Sequence, residues 1–169
     1  MKAKLIIEDK EIEIEISEEE YKKLQPSEEK RTGYERVPKS DIYFYTYPSG
    51  CVETTCEACY DIDDECYESA NYYSDKTVAE NNTRADKLMR QLRRFSVEHR
   101  EDGVNLNDAN TRQYCIYYDY GNNTLGTAFT LCAKTFGVIC FDSDETAQAA
   151  INEFHDELIW YFTEYKDSL

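Results

Sequence analysis

Tyr72-Tyr73-Ser74-Asp75-Lys76-Thr77-Val78-Ala79 and, later in the chain, Phe141-Asp142-Ser143-Asp144-Glu145-Thr146-Ala147 read as the same instruction twice. In each, an aromatic residue gives way to Ser and Asp, side chains that accept the free N–H groups at a helix start. Asp75 or Thr77 is the expected cap in the first stretch and Ser143 in the second. Downstream, Ala85, Leu88, Met89, Leu92 and Phe95 recur at helical spacing. So do Ala147, Ala150, Ile151, Phe154, Leu158, Tyr161, Phe162 and Tyr165. Both patterns predict a long helix with one apolar face.

Upstream of each start lies a pair of strand-like runs. The first goes from Ile42 to Tyr47, turns at Pro48-Ser49-Gly50 and returns through Cys51 to Cys56. The second goes from Tyr114 to Tyr120, turns at Gly121-Asn122-Asn123, returns through Leu125 to Leu131 and adds Val138 to Phe141. A strand–strand–helix unit used twice, over 41–100 and 113–166, predicts an α+β domain across 41–169, with antiparallel sheet covered by two long helices. Ahead of it, Glu11, Glu13 and Glu15 alternate with Ile12, Ile14 and Ile16, and Leu5-Ile6-Ile7 supplies a hairpin partner. Ser17 with Glu20 forms a capping box for a short helix ending before Pro26. Residues 1–25 are thus expected as a β-hairpin with a short helix, and 26–40 as a polar linker.

Charge narrows the function. Thirty-five acids face nineteen Arg and Lys, a net −16. Between Arg84 and Arg100 six Arg or Lys stand against two acids, so the remainder is more acidic still. Such a field repels nucleic acid and anionic membranes and attracts basic protein surfaces. No run approaches the roughly 18 apolar residues of a membrane span, and the first residues lack a signal-peptide pattern. A cytoplasmic protein with reduced thiols is expected.

The chemistry-bearing candidates are few. Cys51, Cys56, Cys59 and Cys66 lie within sixteen residues, and the Cys56–Cys59 gap suits two zinc ligands. Cys51 and Cys56 fall on a predicted strand, so free thiols are the leading reading, with zinc as the alternative and no cofactor expected. Asp61-Ile62-Asp63-Asp64-Glu65 resembles the opening of a calcium loop, but Cys66 stands where that loop needs Gly and Tyr72 where it needs Glu. It reads as an acidic, solvated loop. Tyr60, Asp61, Asp63, Asp64, Glu65, Tyr67 and Glu68 together have the make-up of a protein-docking surface, with aromatic anchors and a charged surround. Arg90, Arg93 and Arg94 form an alternative, a phosphate clamp. Cations toward a helix C-terminus also simply oppose its dipole. His99 and His155 have no nucleophile beside them in sequence, and no catalytic signature is legible.

Tyr-Glu-Arg-Val at 34–37, Asn71-Tyr72-Tyr73-Ser74-Asp75, Arg93-Arg94-Phe95, Tyr114-Cys115-Ile116-Tyr117-Tyr118-Asp119-Tyr120 and the ending Phe154-His155-Asp156-Glu157-Leu158-Ile159-Trp160-Tyr161-Phe162 carry a resemblance. Over residues 34 to 165 the chain resembles a group of small acidic proteins encoded by bacteriophages and prophages of Firmicutes. The resemblance implies a role in disarming host immunity, as anti-CRISPR proteins do, in the cytoplasm of the host bacterium. Charge and resemblance together lead to an expectation of a non-enzymatic DNA mimic. Its acidic, Tyr-rich surface would inhibit a host defence nuclease such as a CRISPR effector by filling its basic groove, without touching nucleic acid or membrane itself. The alternatives are a sponge for a nucleotide immune signal on the Arg-rich helix, and a phage accessory interaction module. Oligomeric state stays open, a dimer included.

Overall fold

The structure is a computed structural model and describes residues 2–7, 10–15, 31–131 and 136–169. The chain divides into two compact units, Met1–Arg31 and Thr32–Leu169. In the first, β1 (Lys2–Ile7) and β2 (Lys10–Glu15) pair antiparallel with Leu5 opposite Ile12, as the alternation predicts. The short helix expected over 17–24 lies outside the described residues, as does most of the linker.

The larger unit is α+β. Its order is β3 (Ile42–Thr46), β4 (Val52–Cys56), α1 (Asp61–Glu68), α2 (Lys76–Glu98), β5 (Gln113–Asp119), β6 (Thr124–Thr130), α3 (Asp144–Glu153) and α4 (His155–Thr163). β3 pairs with β4, and β5 with β6, as antiparallel hairpins. Each hairpin gains a third, single-residue rung from the aromatic residue ahead of a helix. Phe44 and Tyr73 exchange N–H···O bonds of 2.9 Å, and Tyr114 and Phe141 exchange bonds of 2.9 and 2.8 Å. The strand expected over 138–141 is therefore reduced to its last residue.

The helix starts follow their caps. Asp75 accepts the Val78 N–H at 3.0 Å and Ser143 the Thr146 N–H at 3.1 Å. α2 runs unbroken for 23 residues. The second long helix is not continuous: it breaks at Phe154 into α3 and α4, where the Phe154 ring meets Phe95 edge-on at 5.7 Å.

α2 serves two cores. Near its start Val78 and Ala79 join Tyr73, with Phe44, Val52 and Tyr34 packed alongside. Further on, Leu88 and Leu92 join Phe141, Ala147, Ala150, Ile151 and Leu158. Residues 32–40, expected in the linker, belong to the larger unit instead. Gly33, at φ +91°, crosses the first turn of α2 so closely that a Cβ there would sit 2.6 Å from Val78 Cγ2. Tyr34 stacks at a tilt on Tyr73 with ring centres 5.2 Å apart. No helix among the described residues is long and apolar enough to cross a membrane.

Candidate docking face on the first short helix

The acidic stretch 61–68 is a helix, not the solvated loop expected. Asp63 makes the difference. One of its oxygens accepts the Ala58 and Tyr60 N–H groups, both at 3.0 Å, so the third helical residue closes the helix start from inside. The other accepts the Tyr43 hydroxyl at 2.8 Å. Asp61, Asp63 and Asp64 also place negative charge on the first turn, where the helix dipole favours it. At the far end Ala70 takes the left-handed conformation, φ +56°, and the Ala70 and Asn71 N–H groups turn back to the Tyr67 and Cys66 carbonyls.

A buried polar network holds this helix against β3. Glu57, only 1% exposed, receives a fork from Arg36 at 2.9 and 3.1 Å, the Tyr72 hydroxyl at 2.9 Å and the Cys59 N–H at 2.8 Å. Tyr72 and Tyr43, both buried, stack with ring centres 3.9 Å apart. Arg36 reaches Asp64 as well at 2.6 Å and lies over the Tyr67 ring. The Arg36 guanidinium holds the Glu57 carboxyl down at about 2, and the Tyr60 N–H with the Tyr43 hydroxyl lowers Asp63. Burial pushes Tyr72 up to about 12, and burial plus the Asp63 carboxylate pushes Tyr43 upward. Every charge is answered. Chemically the network is a brace: its carboxylates stay ionised and its phenols neutral near pH 7.

The brace sorts the expected docking residues. Asp63, 3% exposed, is removed from the surface. Tyr67 is spent partly on Tyr72 and Arg36. Asp61, Asp64, Glu65 and Glu68 remain outside at positions i, i+3, i+4 and i+7, which share one face of a helix. Tyr60, the N-cap residue and 69% exposed, and Ile62, 58% exposed, lie at the start of the same short helix, which carries no Lys or Arg.

The other candidates do not come together. Among the described residues no three His, Cys, Asp or Glu side chains converge as metal ligands, so Cys51, Cys56, Cys59 and Cys66 are not one zinc set. Cys51, Cys56 and Cys59 are exposed free thiols, and the Cys56 thiol faces the Ser40 carbonyl at 3.1 Å. The arginines of α2 are divided among different settings. Arg84 forks onto Glu157 at 2.8 and 3.1 Å and covers the Trp160 ring. Arg94 faces Glu98, and Arg90 lies beside Gly50 in the β3–β4 turn. Arg93 lines a recess at the C-terminal end of α2. His99 caps α2 through Phe95, and His155 touches Asp156 at 3.0 Å.

Glu57 and Arg36, the centre of the brace, stand out nowhere in the sequence: they lie twenty-one residues apart among many similar charges. Tyr43 on β3 and Tyr72 ahead of α2 were the available signal, since a buried phenol demands a polar partner. Comparison with protein families, with curated proteins and with solved structures finds no match to this chain.

Proposed function

We propose that this chain is a non-enzymatic inhibitor that docks α1 into a basic, nucleic-acid-binding groove of a host defence nuclease. The supporting observation is the outer face of α1, where Asp61, Asp64, Glu65 and Glu68 lie together with no cation on the helix. Seven residues of helix advance about 10 Å. With Asp64 paired to Arg36, the three free carboxylates of Asp61, Glu65 and Glu68 stand about 5 Å apart on average over that length, a row of negative charge of the kind a basic groove attracts. Tyr60 and Ile62 add the rigid apolar anchors that a protein partner needs and a nucleic-acid mimic alone would not. The phage origin and the host cytoplasm as its place of action follow from the resemblance, and the two hairpin–rung–helix segments are read as copies of one unit.

The test is capture from host lysate with the native chain and with an Asp61→Asn, Glu65→Gln, Glu68→Gln variant side by side. The native chain is expected to retain a basic protein at about 0.05 M NaCl, release it by about 0.5 M, and block its binding to nucleic acid. The neutral variant is expected to retain little of it. Equal retention by both chains, or a complex indifferent to salt, would overturn the reading.

A further inference from the structure

The recess at the C-terminal end of α2 carries a second, opposite kind of site. It has a volume of about 250 Å³ and is lined by Arg93 and Arg100 together with Val97, Leu106, Val138 and Ile139. Among the described residues neither the Arg93 nor the Arg100 side chain makes an ion pair or hydrogen bond, whereas Arg36, Arg84 and Arg94 each have an acid. The Arg100 Nε is buried from water and has no acceptor. Asp142 does not supply one: its Oδ2 takes the Glu101 N–H at 2.7 Å, and its Oδ1 makes no bond.

A buried, charged donor left open costs free energy unless an acceptor fills it. Two guanidiniums facing one recess match the two oxygens of a single anionic group. The four aliphatic residues around them suit an apolar body and would gain nothing from a bare, hydrated ion.

We infer that this recess binds a small organic anion, its phosphate or carboxylate held between Arg93 and Arg100 and its apolar part against Leu106, Val138 and Ile139. The site uses different residues from the α1 face, so either can fail while the other stands. It also replaces the sequence-based clamp of Arg90, Arg93 and Arg94, because only Arg93 of the three lines the recess.

Phenyl phosphate, benzoate and inorganic phosphate, each titrated into the full chain while Arg side-chain N–H signals are followed by NMR, test this. One of the two aromatic anions is expected to saturate at about millimolar concentration or below and to shift the Arg100 Nε–H signal. Tighter phenyl phosphate assigns a phosphate ligand; tighter benzoate assigns a carboxylate. Arg93→Gln, at an exposed position that leaves the fold intact, is expected to weaken binding about tenfold. Arg94→Gln is expected to change nothing. The proposal is overturned if no aromatic anion saturates, if inorganic phosphate binds as tightly as phenyl phosphate, or if Arg94→Gln matches the loss in Arg93→Gln.

Discussion

The two halves of the larger unit share a layout of hairpin, aromatic rung and capped helix but close their interiors in opposite ways. Around β5–β6 the filling is apolar: Leu88, Leu92, Phe141, Ala147, Ala150, Ile151 and Leu158, with Phe95, Phe154 and Phe162 at the margin. Around β3–β4 a small apolar cluster of Tyr73, Val78 and Ala79 is supplemented by the Glu57, Arg36, Asp63, Tyr43 and Tyr72 brace. Apolar packing tolerates rearrangement so long as volume is kept. A hydrogen-bonded brace does not, since each partner must stay at bonding distance and angle. The first half therefore fixes the orientation of α1, the helix of the proposed docking face, and the second half supplies the bulk of the hydrophobic stabilisation.

That contrast can be broken from either side. The largest expected effect is Phe141→Ala, which empties the centre of the apolar half and removes about 3–5 kcal/mol, measured by denaturant unfolding. Asp63→Ala strands the Ala58 and Tyr60 N–H groups and the Tyr43 hydroxyl and is expected to cost about 1–3 kcal/mol. Here the location tells more than the size: hydrogen exchange should accelerate in 57–70 and hardly change in α3 and α4. Equal acceleration in both halves would show that the brace is not local to α1.

Acid sharpens the same comparison. Glu57 and Glu35 are both held at about 2 in the folded chain, Glu57 by Arg36 and Glu35 chiefly by the Thr32 N–H. Their folded values lie below the ordinary carboxylate value of 4.5, so the stability they confer is complete above that pH. It is lost as pH falls from there toward 2. Both groups belong to the first half, where Glu35 also accepts from the Ser74 hydroxyl at 2.9 Å. In the second half Asp119 is lowered too, by Asn122 and Gly121 in the exposed β5–β6 turn, outside the apolar interior. Exchange near pH 3 should thus loosen α1 while the environment of the single Trp, Trp160, in the second half stays native by fluorescence.

Smaller still, and of opposite sign, is Ala70→Gly. Ala70 ends α1 with φ +56°, a conformation that costs a residue with a Cβ about 1 kcal/mol, so glycine is expected to raise the unfolding midpoint. The smallest effect belongs to Arg94→Ala, whose contact with Glu98 at 3.8 Å is fully on the surface and should shift stability by less than about 0.5 kcal/mol.

What could be read in the chain was whatever depends on neighbours in sequence. Asp75 and Ser143 cap helices because they stand a fixed few residues from the N–H groups they accept, and alternation in 10–15 marks a strand for the same local reason. α1 escaped that reading because its start is closed by Asp63, whose second oxygen depends on Tyr43, twenty residues away. The break at Phe154 has no Gly or Pro to announce it; the ring's contact with Phe95 is tertiary.

The amino-acid order by itself determined the α+β class, the hairpins, the capped helix starts and the acidic excess, since propensity, periodicity and charge belong to short stretches of chain. Only the tertiary structure decided which carboxylates are buried in a brace and which face water. It likewise decided which arginines are neutralised and which remain open. Sequence counts charges, but burial and distance set their free energy, and both are properties of residues brought together from far apart.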